Sequence, residues 1–143
     1  MTKRFELTHM TCRALWTVAL ASILVPTLLF AACSKNDNQA IEDTIRGFFA
    51  AYSSQEFSHC LELYSHSLRL SEGDKNIIQW LQHQREWDGS FALKSIGTPV
   101  MNKTTATVWV DFETEPYRTV YSWQIHLARE NGEWKIGNFW ELR

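Results

Sequence analysis

The sequence has few residues that break regular structure or cross-link a chain: six glycines, three prolines and three cysteines among 143 residues. It has no run of basic residues, and its formal net charge of −2 argues against nucleic acid as a partner. Nucleophile elbows, phosphate-binding loops and metal-ligand motifs are absent from it. We also find no internal repeat, low-complexity tract or second domain. The sequence therefore predicts one small domain, and it names no reaction, cofactor or metal.

The N-terminal segment has the pattern of a secretory signal. Three basic residues and one acid occur within the first 13 positions, and no charged residue occurs from position 14 to 34. A basic head, an apolar stretch and small residues before a boundary are typical of a signal peptide, which is removed. The pattern leaves open whether Met1 or Met10 is the true start.

The end of the apolar stretch is Phe30-Ala31-Ala32-Cys33, which resembles the lipobox of bacterial lipoproteins. The resemblance implies a lipoprotein signal peptide at residues 1–32, followed by a lipid anchor and short linker at residues 33–37. Cys33 would be the acylated first residue of the mature chain. An uncleaved transmembrane anchor is the main alternative, since 21 uncharged residues can span a bilayer. Ordinary secretion is the other alternative.

Acylated Cys33 implies attachment to a membrane of the bacterial cell envelope. In a cell with two membranes, we expect the outer membrane, with the domain facing the periplasm; otherwise we expect the outer face of the cell membrane. Once Cys33 is acylated, Cys60 is the only remaining cysteine, so no internal disulfide is possible. Stability must come from packing, and six of the seven tryptophans lie in the mature part.

Three helices are predicted after the linker. Asn38 is a candidate cap for the first and Ser54 for the second, and the third spans Asp74 to Trp87 before Gly89. Apolar residues recur at helical spacing in each segment. They are Ile41, Ile45, Phe48, Phe49 and Tyr52; then Phe57, Cys60, Leu61, Tyr64 and Leu68; then Ile77, Ile78, Trp80 and Leu81.

After Gly89 the apolar period changes to two, which predicts strands. Four are expected, at residues 91–101 with an interruption near Gly97-Thr98-Pro99, and at 104–113, 117–129 and 133–141. Asn131-Gly132 predicts a two-residue hairpin turn, because both positions need positive φ. Glu115-Pro116 predicts another turn, with a four-residue loop as the alternative.

These turns predict the register of the sheet. A two-residue loop at 131–132 places Leu127 opposite Ile136, Ile125 opposite Asn138 and Trp123 opposite Trp140. A two-residue loop at 115–116 places Val108 opposite Trp123. Both hairpins then share one apolar face.

Helices followed by such a sheet predict an α+β fold, with three N-terminal helices packed on a mostly antiparallel sheet. Residues 38–143 resemble the nuclear transport factor 2-like (cystatin-like cone) superfamily, including its small bacterial lipoproteins. The resemblance rests on the helix order, on Glu62-Leu63-Tyr64 closing the second helix, and on the hairpin at residues 129–136 with its Asn-Gly-x-Trp-Lys-Ile sequence. It implies a curved sheet that wraps the first helix as a cone, open at one end to a pocket.

Asn138 is the unusual residue on the predicted inner face, because its neighbours there are apolar. One interpretation is that its amide bonds a backbone group or water where the sheet bends, since a buried unsatisfied amide costs about 1–3 kcal/mol. The other is that it holds a polar group of a ligand, with Tyr52, Tyr121 and Trp140 as walls of the pocket.

No catalytic residue and no metal site is predicted. Asp111, Glu113 and His126 have the parity of the outer face. His59 and His66 lie seven residues apart but have no third ligand at suitable spacing. Enzymes of the superfamily place a carboxylate base and a hydroxyl donor inside the cone, and no carboxylate has inner parity in the last three strands.

The sequence thus predicts a lipid-anchored envelope domain that binds a small apolar ligand or a protein partner. A small-molecule isomerase, dehydratase or hydrolase that uses the same pocket is the first alternative, and a purely structural lipoprotein is the second. The predicted register also brings Trp109, Val120 and Phe139 together on the outer face. Exposed apolar area often marks an interface, so a homodimer through this face is predicted, unless the first strand or the C-terminal tail covers the patch.

Overall fold

A computed structural model of the protein describes residues 37–115 and 117–141, and in them four helices precede five strands. The helices are α1 (residues 37–53), α2 (Phe57–Leu63), α3 (His66–Glu72) and α4 (Asp74–Asp88). The strands are β1 (Phe91–Ile96), β2 (Val100–Met101), β3 (Thr105–Thr114), β4 (Val120–Glu130) and β5 (Glu133–Glu141). They form one antiparallel sheet in the order β1-β3-β4-β5, with β2 also paired to β3. The predicted α+β fold is confirmed: the helices pack against an open, curved sheet.

Helix α1 buries the stripe that its sequence predicts. All five of its predicted apolar residues are at most 2% exposed, because they recur at three- and four-residue intervals and so share one side of the helix. Asn38 was predicted to cap this helix and lies inside it instead, since residue 37 is already helical.

The second predicted helix is in fact two helices, α2 and α3, separated by Tyr64 and Ser65. Both separating residues have extended backbone, and the side chain of Ser65 caps α3 by accepting a hydrogen bond from the Leu68 amide. The cause is a tertiary contact, because the Ser65 N–H donates to the carbonyl of Ile136 at 2.8 Å and Tyr64 forms a parallel bridge with the same residue. The chain therefore leaves the helix to meet β5, and α3 starts afterwards.

The turn between β3 and β4 has a four-residue loop, residues 115–118, closed by the Thr114 amide donating to the carbonyl of Thr119 at 3.0 Å. The prediction of a two-residue loop was wrong, and the four-residue alternative is confirmed. The register consequently moves by two residues, so that Val108 lies opposite Ile125 rather than Trp123. A shift of two residues keeps every side chain of β3 and β4 on its predicted face.

The turn between β4 and β5 is the predicted hairpin, with φ of 52° at Asn131 and 88° at Gly132. Leu127 lies opposite Ile136, as predicted.

Beyond this pair, however, the register slips by one residue between His126 and Leu127, which leaves Gly137 as the extra residue of a β-bulge. Trp123 therefore lies opposite Glu141, and its predicted pairing with Trp140 was wrong.

Aromatic rings fill the space between α1 and the sheet. Phe91 stacks on Tyr52 with ring centroids 4.2 Å apart, and Phe112 contacts Trp123 edge to face at 4.5 Å. The buried core of the described residues runs from Ile41 to Ile136, within the compact unit Asn38–Arg143. All of these core residues belong to this unit, so we expect residues 34–143 to fold by themselves.

Candidate functional site

A cavity of about 370 Å³ lies between α3, α4 and β5. We call it the α3–α4–β5 cavity. Its lining residues are Tyr64, Leu68, Glu72, Asn76, Ile77, Trp80 and Asn138. A mainly apolar cavity with a few polar groups is the common form of a small-molecule site, for which volumes of about 300–1,000 Å³ are usual.

The apolar walls come from both helices. Leu68 belongs to α3, and Ile77 and Trp80 lie one turn apart on α4, so their side chains share one side of that helix. Tyr64 is buried, and this burial raises the pKa of its hydroxyl well above the ordinary value. Trp80 is 45% exposed, so its indole is half open to solvent.

Glu72 and Asn76 supply polar groups at the junction of the two helices. Glu72 is the last residue of α3, Gly73 reverses the chain at φ 81°, and Asn76 lies in the first turn of α4. The side-chain nitrogen Nδ2 of Asn76 donates to the carbonyl of Glu72 at 2.8 Å. This bond fixes the Asn76 amide beside the Glu72 backbone.

Asn138 also lines the cavity, from the sheet side. It is exposed, and it lies opposite His126, whereas an inner-face position opposite Ile125 was predicted. The bulge at Gly137 is the reason, because it advances the register by one residue. The interpretation of Asn138 as a buried amide of the core was therefore wrong.

Of the other predicted wall residues, Tyr52 and Tyr121 are not among the residues that line this cavity. Tyr52 is fully buried against Phe91, and its hydroxyl has no hydrogen-bond partner among the described residues. Burial raises the pKa of Tyr52 above its ordinary value. Tyr121 lies opposite Phe112, with the rings 5.8 Å apart. Trp140 lies opposite Gln124, and its side chain is outside the described part of the protein.

Asp111 and Glu113 lie on the outer face, as predicted, and each has a structural partner. Asp111 accepts hydrogen bonds from Ser122 and Ser95 on the two neighbouring strands, and these lower the pKa of its carboxyl. Lys94 bonds Glu113 at 2.7 Å and lowers the pKa of that carboxyl.

His59, His66 and His126 have separate surroundings in the part of the chain that the structure describes. His59 lies on α2 beside Glu62, with 3.2 Å between ring nitrogen and carboxylate, whereas His66 begins α3. His126 contacts the Thr107 hydroxyl at 3.2 Å. Within residues 37–115 and 117–141, no group of three His, Cys, Asp or Glu side chains could hold a metal ion.

Two residues of the predicted outer-face patch, Trp109 and Val120, lie apart along the sheet. Trp109 and Val120 are exposed, but Trp109 lies opposite Gln124 whereas Val120 lies opposite Glu113, four residues further along β3. The bulge moves Phe139 opposite Ile125, and its side chain lies outside the described part. The predicted neighbourhood of these three residues was therefore wrong, because the longer loop and the bulge both change the register.

Glu72, Asn76 and Trp80 line the cavity but were not predicted as site residues from the sequence. Trp80 was predicted to lie on the apolar side of its helix. That position does not distinguish a core residue from a residue that lines a cavity. The available signal was local: Ser65 is a good N-cap residue, and Gly73 is suited to a reversal. Together they mark a short helix that folds back on the next one.

No protein-family model and no curated protein matches the chain. Among solved structures, it is similar to the solution structure of a SEC-C motif containing protein from Rhodopseudomonas palustris. The two share 11% sequence identity with a TM-score of 0.49, over 70% of this chain and 77% of the other. No helix in the described residues is both long and apolar enough to cross a membrane.

Proposed function

We propose that the protein is a lipid-anchored domain of the bacterial cell envelope that binds a small, mainly apolar ligand in the α3–α4–β5 cavity. The observation that carries the proposal is the cavity itself, with apolar walls from two helices and three polar side chains at its edges. Its volume lies near the lower end of the usual range for ligand sites, so a small ligand fits best.

The anchor is supported by the sequence Phe30-Ala31-Ala32-Cys33, which lies outside the described residues. Several acyl chains on Cys33 make attachment stable, whereas one gives only marginal binding. We expect Cys33→Ala to accumulate as an unacylated, unprocessed precursor, detected by its mass and by loss of labelled fatty acid. Normal cleavage and acylation of the variant would contradict the anchor.

Ligand binding is tested with 2-phenylethanol, a small neutral aromatic probe, and residues 34–143. We expect its addition to shift the amide NMR signals of α3 and α4 around the cavity. Trp80→Ala removes one wall and should weaken binding about tenfold or more, because burying an aromatic side chain against a ligand contributes a large apolar area.

Trp87→Ala is the matched control. Trp87 is an exposed tryptophan of the same helix, and it contacts His83 outside the cavity. Its loss should leave the affinity unchanged. Equal effects of the two variants, or shifts spread over the whole surface, would contradict a site in the cavity.

The enzyme alternative needs a general base whose pKa burial or charge has tuned. The carboxylate of the cavity, Glu72, is exposed, which favours recognition over proton abstraction. The cavity disfavours a purely structural role, because the apolar side chains that line it are not packed against other side chains on that side. Membership of the nuclear transport factor 2-like superfamily is likewise our proposal, supported by the helix order and the antiparallel sheet.

A further inference from the structure

We infer that the ligand of the α3–α4–β5 cavity is a small organic ammonium ion: an apolar body that carries a protonated amine. Glu72 is its counter-ion and Trp80 the aromatic wall beside the charge. This inference rests on the proposed function and names the chemical class of the ligand.

The charge of the cavity is the first argument. Glu72 is its only ionisable carboxylate, and in residues 37–115 and 117–141 no basic group lies within 4.0 Å of it. Arg69 is close in sequence, but its guanidinium forms two hydrogen bonds to Asp74, at 2.9 and 2.6 Å. The cavity therefore holds a negative charge that the described chain does not neutralise, and a cationic ligand would complement it.

The hydrogen-bonding groups point the same way. Asn76 uses its Nδ2 to donate to the carbonyl of Glu72, so its amide oxygen is left to accept. The carboxylate of Glu72 is also an acceptor when ionised. An ammonium group has three donors and no acceptor, which matches these oxygens. An anionic ligand would instead be repelled by Glu72.

The aromatic wall is the third argument. Trp80 is half exposed at the cavity, and the face of an indole is the best aromatic surface for a cation, within about 6 Å of the ring centroid. Leu68 and Ile77 supply apolar surface for the uncharged part of the ligand. A carboxylate, an open indole and aliphatic walls together define an amine with an apolar body.

The test compares two probes of nearly the same shape, 2-phenylethylammonium and 2-phenylethanol, titrated into residues 34–143 at pH 7 and followed by amide NMR shifts. We expect the ammonium probe to bind about tenfold more tightly, because charge-assisted hydrogen bonds and cation–π contact are added. In Glu72→Gln, the preference should fall to about two- to fivefold, because only the cation–π contact with Trp80 is left. Glu86→Gln, on an exposed position of α4 outside the cavity, should retain the tenfold preference.

Equal affinity of both probes for the unmodified domain would overturn the ammonium ligand while leaving a ligand site in place. An undiminished tenfold preference in Glu72→Gln would overturn the role of Glu72 and, with it, the inference. If neither probe binds, the proposed function fails and the inference fails with it.

Discussion

Gly89 and Gly137 are glycines with very different surroundings. Gly89 ends α4 with φ 71° and ψ −151°, a backbone region that is essentially reserved for glycine. A Cβ atom there would lie 3.0 Å from the backbone carbon and oxygen of Glu115. A Cβ atom at Gly137 would instead lie 3.5 Å from the carbonyl of His126, which is an ordinary contact. Of these two glycines, only Gly89 is therefore required by its geometry.

Gly89→Ala should lower the free energy of unfolding by about 1–3 kcal/mol, because it forces a side chain into a strained backbone. Gly137→Ala is the matched control and should change it by less than about 1 kcal/mol. Urea unfolding of residues 34–143 measures both values. Equal losses in the two variants would contradict this account of Gly89.

At the scale of elements, the contact between Ser65 and β5 determines where α3 begins. The Ser65 hydroxyl accepts a hydrogen bond from the Leu68 amide, and its own N–H donates to Ile136. Because α3 carries Leu68 and Glu72, this cap supports one wall of the cavity.

Ser65→Ala should cost about 1 kcal/mol of unfolding free energy, the usual loss for a removed N-cap. Ser71→Ala, which removes an exposed hydroxyl of the same helix that donates to the Leu68 carbonyl, should stay within about 0.5 kcal/mol. Thermal or urea unfolding distinguishes them. A neutral Ser65→Ala variant would show that α3 does not depend on its cap.

Elements whose signals are local could be predicted from the sequence. Asn131-Gly132 specifies its turn by positive φ, and Gly89 closes α4 at the predicted position. Features set by distant contacts could not be predicted. The apolar spacing from Leu61 through Tyr64 continues past the point where Ile136 pulls the chain out of its helix.

The same reasoning applies to the site. Glu72 and Trp80 belong to different helices, and they line one cavity because Gly73 reverses the chain between them. Asn138 was singled out as polar among apolar neighbours, but the prediction did not use Gly137, whose position inside the strand is the signal for the bulge that places Asn138. The sequence identifies Asn138 as an unusual residue. Only the folded structure shows that Asn138, Glu72 and Trp80 line the same cavity.

Across the described part of the molecule, several exposed or half-buried carboxylates accept hydrogen bonds. The pKa values of Asp74, Asp111, Glu113 and Glu133 are all lowered, first of all by hydrogen bonds from Arg69, from Ser122 with Ser95, from Lys94 and from Lys135. A carboxyl with a lower pKa in the folded state contributes its full stability above the unfolded pKa of about 4. That contribution is lost as the pH falls through the folded value.

The domain should therefore unfold at lower urea concentration at pH 3 than at pH 7. The double variant Ser95→Ala, Ser122→Ala should show a smaller difference between the two pH values, because the pKa of Asp111 returns toward its ordinary value. Urea titrations at both pH values provide the measurement. A domain equally stable at pH 3 and pH 7 would refute this linkage.

The homodimer through the outer sheet face stays a prediction, now centred on Trp109 alone, which is 42% exposed on β3. Sedimentation equilibrium of residues 34–143 should give twice the monomer mass, and Trp109→Glu should restore the monomer by placing a charge in the interface. Val120→Glu tests the more distant exposed residue and should have the smaller effect. A monomer at high micromolar concentration before any substitution would remove the prediction.

The bridge from Tyr64 to Ile136 has a further consequence, for association between copies. β5 is an edge strand of the sheet, and the unpaired backbone groups of an edge can recruit a strand from another molecule. Here the chain itself occupies part of that edge, through the bridge and through the Ser65 hydrogen bond to the same residue. For a protein proposed to be anchored in a membrane, this contact would limit edge-to-edge association of neighbouring copies.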